Sequence, residues 1–257
     1  MNVEDRAVAC AVTWRRDWAP HLFSFRAVRP AGMRFVPGQF VRLGVTGADG
    51  TPVWRAYSIV SPPAADHLEF YSIVVPDGPF TQPLARIEIG DTIRIDPTVY
   101  GFLRADRFEG GETLWLLATG TGIAPFMAML ADDTIWSRYG DIVVVHSVRR
   151  SGELAYRDAI EGWVDRPRVA GARLRYLPTL TGDEFQVGAV LHGRITTLLD
   201  TGELERKTGL TISKEASRLM ICGNPSMIRQ TRALLGARGM TPVRREVPGQ
   251  FIVENFW

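Results

Sequence analysis

Hydrophobic and polar positions alternate in short runs along roughly the first 105 residues, and glycine or proline separates one run from the next. Aromatic and β-branched residues dominate these runs, as is typical of strands. Many short strands between Gly/Pro turns favour an antiparallel barrel. The predicted strands are residues 8–14, 21–28, 35–43, 54–61, 68–75 and 91–95, and residues 83–87 form a short predicted helix with Thr81 as its N-cap.

The pattern changes after Gly110-Gly111, where apolar runs begin to alternate with helical segments. Such alternation predicts an α/β doubly wound parallel sheet. The chain is therefore predicted to have two domains, an antiparallel β-barrel at residues 1–108 and the α/β sheet at residues 109–257. The predicted strands of the second domain are residues 114–118, 142–146, 174–180, 218–222 and 251–254, and its predicted helices are residues 126–130, 153–160, 196–204 and 225–238.

The strand at residues 54–61 carries Arg55, Ala56, Tyr57 and Ser58. Alternation would place Arg55 and Tyr57 on one face and the other two on the opposite face. Tyr57 could stack on a flat ring, Arg55 could neutralise a diphosphate, and Ser58 could reach a ring nitrogen. A plain strand with a surface arginine and a core tyrosine explains the same residues about as well.

Two more segments of the first half could hold the same kind of ligand. The turn at residues 76–82 leads into the short helix, where its N–H groups and the Thr81 hydroxyl could bind a diphosphate. The strand at residues 71–75 could pair its backbone with the polar edge of a ring. A plain turn and an ordinary core strand are the alternatives.

In the second half, Gly120-Thr121-Gly122 lies between a strand and a helix, where open α/β sheets bind nucleotides. The motif is only a partial G-x-G-x-x-G, because Pro125 stands in place of the third glycine. Its glycines would still let the backbone approach a pyrophosphate, and Pro125 could begin a helix whose N-terminus favours an anion.

Composition narrows the possible functions. The chain has 46% hydrophobic and 23% charged residues, as in ordinary globular proteins, and no apolar run approaches the ~20 residues of a membrane span. The charged N-terminus has no apolar signal core, so a cytoplasmic location is predicted. Two cysteines are too few for an iron–sulfur cluster. The four histidines show no metal-ligand spacing, and a net charge of +2 gives no reason to expect nucleic acid.

Four motifs and the chain end carry a family resemblance. R-x-Y-S at 55–58, Gly-x-x-Thr at 78–81, T-G-T-G-I-A-P at 119–125 and C-G-x-P-x-M at 222–227 occur in this order before an aromatic C-terminus. Together they resemble the ferredoxin–NADP reductase family, in its bacterial ferredoxin/flavodoxin branch, over nearly the whole chain. The resemblance implies an FAD enzyme that transfers hydride between nicotinamide C4 and flavin N5 and then exchanges single electrons with ferredoxin or flavodoxin.

The resemblance also implies an FAD site on the barrel. Tyr57 would cover one face of the flavin, and Arg55 and Thr81 would hold the diphosphate. The implied FAD-contacting residues are Arg55, Ala56, Tyr57, Ser58, Tyr71, Ile73, Val74, Gly78, Phe80, Thr81, Thr121, Phe256 and Trp257.

For NADP, the resemblance assigns the 2′-phosphate to Arg149 and Arg194, which lie in V-x-x-V-R and G-R-I. Two solvated arginines are the alternative. Gly182 stands where relatives often have another arginine, which leaves selectivity for NADP over NAD open, and Arg150 could compensate. The implied NADP-contacting residues are Thr119, Gly120, Thr121, Arg149, Arg150, Arg194, Cys222 and Gly223.

The implied catalytic residues are Ser58, Cys222, Glu254 and Phe256. Cys222 would lie beside the nicotinamide, and Glu254 would be the acid near flavin N5. Phe256 would cover the isoalloxazine and move aside for nicotinamide, with Trp257 near the same ring or near the adenine. A small buried cysteine and two aromatics that complete the core are the alternatives.

The implied partner is ferredoxin or flavodoxin, and the protein is expected to be a monomer. These carriers are acidic, and basic residues such as Arg15, Arg16 and Arg42 could dock one. Two other functions stay open. One is an NADH-preferring flavin reductase component of an oxygenase, and the other is a non-catalytic regulatory subunit that binds a nucleotide.

Overall fold

The computed structural model describes residues 2–164, 166, 171–182, 190–245 and 247–255. The chain divides into two compact units, Met1–Arg104 with Ala124–Asp132, and Ala105–Ile123 with Asp133–Trp257. Each unit has its own sheet and its own hydrophobic core. The boundary between residues 108 and 109, as a division between two cofactor domains, stays a prediction.

The first unit is an antiparallel β structure, as the sequence predicts. Its strands are β1 (Val8–Ala19), β2 (Leu22–Val28), β3 (Phe40–Thr46), β4 (Pro52–Ser58), β5 (His67–Ile73) and β6 (Thr92–Tyr100), and its helices are α1 (Val3–Arg6), α2 (Thr81–Ala85) and α3 (Ala124–Leu130). The strand order is β4-β3-β6-β1-β2-β5. The Val60 N–H donates to the Glu69 carbonyl at 2.8 Å, and this bond joins the two ends of the sheet into a barrel.

Alternating apolar side chains fill the barrel. Phe25, Leu43, Phe70 and Ile95 are fully buried, and each contributes about 1.5–3 kcal/mol by leaving water. The same alternation explains why the sequence predicts these strands well. Pro52 is tolerated in β4 because β4 lies at an end of the sheet, where proline is allowed.

β1 extends five residues beyond the predicted strand, through the three charged residues Arg15, Arg16 and Asp17. The Arg15 guanidinium donates to the carbonyls of Ala85 and Ile87, both at 2.8 Å, while Arg16 lies over the ring of Trp18. These contacts hold the charged stretch in the sheet, with register shifts on either side of residues 14–17. Tertiary contacts therefore override local composition here.

The predicted N-cap at Thr81 is wrong. Phe80 occupies the N-cap position of α2, which has no side-chain cap bond. The Thr81 hydroxyl instead accepts from the Val75 N–H at 3.0 Å and donates to the Val75 carbonyl at 3.3 Å. A threonine before a short helix predicts a cap, but here the preceding turn uses the hydroxyl.

The second unit is the predicted parallel sheet. Its strands are β7 (Thr113–Thr119), β8 (Asp141–Val148), β9 (Arg173–Leu180), β10 (Leu191–His192), β11 (Ser217–Gly223) and β12 (Phe251–Asn255), and its helices are α4 (Thr134–Arg138), α5 (Arg157–Val164), α6 (Ile195–Asp200), α7 (Glu203–Thr208) and α8 (Pro225–Ala237). The strand order is β10-β9-β8-β7-β11-β12, and every pair is parallel.

Two predicted helices differ from the structure. The segment at 153–160 is a 3₁₀ turn at Ser151–Glu153 followed by α5. The segment at 196–204 is divided into α6 and α7 by Gly202, whose φ of 72° no α-helix accommodates. Within the described residues, no helix is both long and apolar enough to span a membrane.

The strand order locates the functional edge of the second unit. From β7 the chain adds β8, β9 and β10 on one side, and then returns to place β11 and β12 on the other side. The order therefore reverses between β7 and β11. In open parallel sheets, ligands bind at the carboxyl ends of the strands at such a switch point.

Candidate functional site

The first candidate site is the gap between β4 and β5. In the described part of the chain, the Val60–Glu69 bond is the one backbone bond found between these two segments. Peptide groups alternate sides along a strand, so those of Ala56, Ser58 and Ile73 point into the gap on the side of that bond. Unpaired peptide groups at a strand edge can bind the polar edge of a flat ligand.

The Ser58 side chain adds a polar group at this gap. Its residue is 6% exposed, and its Oγ has no hydrogen-bond partner among the described residues. An unpartnered buried hydroxyl costs about 1–3 kcal/mol. A ligand nitrogen or oxygen at this position would remove that cost, so the residues of the gap fit the isoalloxazine ring of a flavin.

Tyr57 is fixed by the barrel core. Its ring centroid lies 5.4 Å from that of Phe80 and 6.4 Å from that of Phe70, and its hydroxyl is 2.8 Å from the Ser72 Oγ. Burial raises the pKa of Tyr57 to about 12, so the phenol stays protonated. These contacts hold the ring in place. Tyr57 can therefore belong to the core and still offer a ring face for stacking on a ligand.

Alternation predicts that Arg55 and Ala56 lie on opposite faces of β4. Both residues are nevertheless exposed. The Arg55 guanidinium donates to the Trp54 carbonyl at 2.8 Å. It carries a positive charge at the rim of the gap, where a diphosphate could approach.

The turn before α2 shows where a phosphate could and could not be held. Thr81 has already donated its single hydroxyl hydrogen to Val75. An anion needs donors, so a diphosphate contact here would come from backbone N–H groups and not from the hydroxyl. The Phe80 side chain is buried in the core, and Tyr71 is also buried, which leaves only their backbones for ligand contact.

The second candidate site lies at the carboxyl ends of β7 and β11. The Thr119 Oγ1 accepts from the Asn224 N–H at 2.7 Å, so the two loops are joined directly. Gly223 has a φ of 131°, and a Cβ there would overlap Thr119; a Cβ on Gly122 would overlap the Cys222 carbonyl. Glycines are required at both positions because the two backbones pack against each other.

His146 contacts the loop that follows β7 from the protein interior. The residue is fully buried, and its Nε2 lies 3.1 Å from the Gly120 carbonyl, to which it must donate. Burial lowers the pKa of His146 to about 4, so the ring is neutral and its hydrogen is on Nε2. Its Nδ1 has no partner among the described residues. Sequence reasoning did not single out His146, because its contact depends on which loop packs against it in the folded chain.

Cys222 and Glu254 are adjacent across β11 and β12, where they are register partners. Burial raises the pKa of the Cys222 thiol well above its usual range, with a smaller contribution from Glu254. Burial also raises the pKa of the Glu254 carboxyl to about 7, and its Oε2 has no partner within the described residues. The pair thus combines an uncharged thiol with a carboxyl that can gain or lose a proton near neutral pH.

The implied NADP arginines are exposed at the same edge of the sheet. Arg149 and Arg150 follow β8, and Arg194 is the N-cap residue of α6. Thr121 is half-buried in the 3₁₀ turn Gly120–Ile123. Phe256 and Trp257 lie outside the described residues, so their implied stacking stays a prediction. The described residues contain no group of three or more acidic, cysteine or histidine side chains arranged to hold a metal ion.

Known protein families match each half of the chain separately. Residues 17–101 match the oxidoreductase FAD-binding domain, and residues 116–233 match the oxidoreductase NAD-binding domain. The chain is 39% identical to "Ferredoxin--NADP reductase" of Pseudomonas aeruginosa, over 93% of this chain and 93% of that protein. It is 37% identical to "Flavodoxin/ferredoxin--NADP reductase" of Rhodobacter capsulatus, over 96% of this chain and 92% of that protein.

A solved structure agrees with these relatives. The ferredoxin NADP+ reductase of Neisseria gonorrhoeae, determined with bound FAD and NADP, has a TM-score of 0.91 and 34% identity, covering 98% of this chain and 99% of that one. The TM-score shows that the two chains have the same fold. This chain belongs to the ferredoxin/flavodoxin–NADP reductase family.

Proposed function

We propose that the protein is an FAD-dependent oxidoreductase that exchanges electrons between NADP(H) and ferredoxin or flavodoxin. The observation that carries the proposal is the gap between β4 and β5. It combines unpaired peptide edges with the unpartnered Ser58 hydroxyl, inside the segment that matches an FAD-binding domain. Relatives of similar length that are named as ferredoxin or flavodoxin NADP reductases support the same function.

The barrel residues would bind and orient the flavin. When bound, FAD accepts or donates a hydride at N5 and passes electrons one at a time, which makes it the link between a two-electron and a one-electron partner. Ser58 would donate to or accept from the ring, and the Ala56 and Ile73 peptides would pair with its polar edge. Tyr57 keeps its position because Phe80 and Ser72 hold it.

The residues of the parallel sheet would bind NADP(H). The glycines at 120, 122 and 223 allow the nucleotide to approach the backbone, and Arg149 and Arg194 would neutralise the 2′-phosphate by guanidinium–phosphate hydrogen bonds. Glu254 would hold or release a proton at its Oε2, because its pKa lies near 7. Cys222 stays an uncharged thiol under these conditions.

The carrier and the assembly are parts of this proposal. Arg16 and Arg42 are exposed and could contact an acidic carrier, whereas the Arg15 guanidinium is already hydrogen-bonded to backbone carbonyls and Asp17. Arg15 is therefore a poor docking residue. A monomer in the cytoplasm, with FAD on residues 1–108 and NADP on residues 109–257, is the arrangement we propose.

The test is direct. Purified protein should carry FAD and be yellow, and NADPH should drive reduction of a ferredoxin or a flavodoxin offered one at a time. An NADPH-to-NADH turnover ratio near one would favour a reductase component of an oxygenase. Protein that takes up no FAD would exclude the proposal, and a flavin that NADPH fails to reduce would indicate a regulatory subunit.

A further inference from the structure

The two exposed arginines after β8 lie on a turn that is held by hydrogen bonds to Glu153 and to the segment after β9. We call residues Arg149–Glu153 the arginine turn. The Glu153 Oε2 accepts the backbone N–H of Arg149 at 3.1 Å and of Arg150 at 3.4 Å. The Glu153 N–H in turn donates to the Arg150 carbonyl at 3.0 Å. Hydrogen bonds to an ionised acceptor are stronger than neutral ones, so this carboxylate fixes the direction of the turn.

The other side of the arginine turn is held by the segment after β9. The Thr181 N–H and hydroxyl both bond the Val148 carbonyl, at 2.9 and 3.2 Å, and the Gly182 N–H donates to the Arg149 carbonyl at 3.0 Å. A Cβ on Gly182 would lie 2.6 Å from that carbonyl oxygen. No side chain fits at residue 182 unless the turn moves, and this explains why this chain has glycine where an additional arginine would otherwise be expected.

We propose that Glu153 and Gly182 are positioning residues that set selectivity for the 2′-phosphorylated nucleotide by holding Arg149 and Arg150 in place. The inference rests on the proposed function, in which this edge binds NADP(H). Arg149 and Arg150, held in a fixed turn, would thereby bind the 2′-phosphate without an additional arginine at residue 182. A guanidinium discriminates well only when its fork is held in the geometry of the phosphate.

This role can be separated from simple electrostatics, because the two predict opposite signs. Glu153 carries a negative charge near a proposed phosphate site. If charge alone mattered, removal of the carboxylate would tighten anion binding. If Glu153 positions the arginine turn, its removal leaves two backbone N–H groups without their acceptor and weakens anion binding.

The experiment compares 2′,5′-ADP with 5′-AMP, two probes that differ in the 2′-phosphate, by calorimetric titration of the FAD-loaded protein. For Glu153→Ala we expect affinity for 2′,5′-ADP to fall about tenfold, the usual scale for losing such hydrogen bonds, and affinity for 5′-AMP to stay within about twofold. Glu153→Gln keeps an acceptor without the charge and should bind 2′,5′-ADP within about threefold of the unchanged protein. The ratio of kcat/KM for NADPH over NADH should follow the same order.

The role of Gly182 can be tested with a matched glycine control outside the arginine turn. Gly182→Ala should weaken 2′,5′-ADP binding by at least about tenfold, whereas Gly162→Ala, in α5 and with no atom within 4 Å of the added Cβ, should leave it unchanged. If Gly182→Ala does not fold, the Glu153 pair decides the question.

Three results would overturn the inference. In the first, Glu153→Ala binds 2′,5′-ADP as tightly as the unchanged protein or more tightly. In the second, Glu153→Gln is as weak as Glu153→Ala. In the third, the unchanged protein does not distinguish 2′,5′-ADP from 5′-AMP. The third result rejects the proposed NADP function as well, whereas the first two reject only the positioning role.

Discussion

The two candidate sites are built in opposite ways. At the barrel edge, the groups available to a ligand are mainly backbone groups and one hydroxyl, because the large side chains nearby are engaged in the core or with each other. At the switch point of the parallel sheet, the site depends on glycines. Because glycine has no side chain, the loops after β7 and β11 can pack against each other beside the buried His146. Adding atoms should therefore damage the second site far more than removing atoms damages the first.

The largest effect is expected for Gly223→Ala. The backbone at residue 223 has a φ of 131°, and the new Cβ would overlap Thr119, which cannot move without breaking its bond to the Asn224 N–H. We expect a loss of about 3–5 kcal/mol in the free energy of unfolding, together with loss of NADP(H) binding. Chemical denaturation followed by fluorescence measures the first, and calorimetry with NADP⁺ measures the second.

Gly236→Ala is the matched control for that substitution. Gly236 lies in α8 with open space around it, and alanine is favoured over glycine in a helix by up to about 1 kcal/mol. The control should therefore be neutral or slightly more stable. Equal behaviour of the two variants would mean that the loops after β7 and β11 do not need their close approach.

The sequence predicts different parts of these two sites for physical reasons. Strand–helix alternation predicts the open parallel sheet and places Gly120-Thr121-Gly122 where such sheets bind nucleotides, whereas the strand order is known only from the structure. It also identifies Gly120 and Gly223, since glycine at a strand end signals a backbone approach. The helix predicted at residues 225–238 is present as α8, and the structure adds that the Asn224 side chain caps it.

Other residues could not be predicted from local pattern. His146 and Glu153 act on backbone groups of a neighbouring loop or turn, and only tertiary packing shows which groups they reach. For Thr81, the local signal was misleading because a cap and a turn contact use the same hydroxyl. Short-range signals therefore identify elements and glycine positions well, and they fail where a side chain supports another segment.

A smaller effect is expected for His146, whose ring donates a hydrogen bond to the Gly120 carbonyl in the loop after β7. His146→Leu removes the donor to the Gly120 carbonyl and should weaken NADP⁺ binding about tenfold, with FAD content unchanged. His146→Gln places an amide N–H at a similar distance along the side chain and should recover most of that affinity. Equal affinity of the leucine variant and the unchanged protein would contradict a role for His146 in shaping the loop.

The same histidine gives the stability a pH dependence of known sign. Its pKa is about 4 in the folded protein against 6.5 in the unfolded chain. As pH falls below 6.5, the unfolded chain takes up the proton first, which favours unfolding. The contribution of His146 to the free energy of unfolding is therefore fully present above about pH 6.5 and is lost as pH falls through 4. The full loss is about 3 kcal/mol. Denaturation at several pH values should show a shallower decline for His146→Gln.

The smallest effect is expected for Ser58→Ala, and it tests the barrel side of the comparison. In the protein without flavin, the Ser58 hydroxyl is buried and lacks a partner among the described residues, so alanine should raise the free energy of unfolding by about 1 kcal/mol. With flavin, the hydroxyl gains a partner, and alanine should weaken FAD binding by about tenfold, a loss of about 1.4 kcal/mol that exceeds the gain in the apoprotein, while the peptide edges of β4 and β5 still contribute. Denaturation of apo- and FAD-loaded protein would show the two opposite shifts. If alanine destabilises both forms equally, the hydroxyl is already satisfied without the flavin, and the gap between β4 and β5 is not the site that it completes.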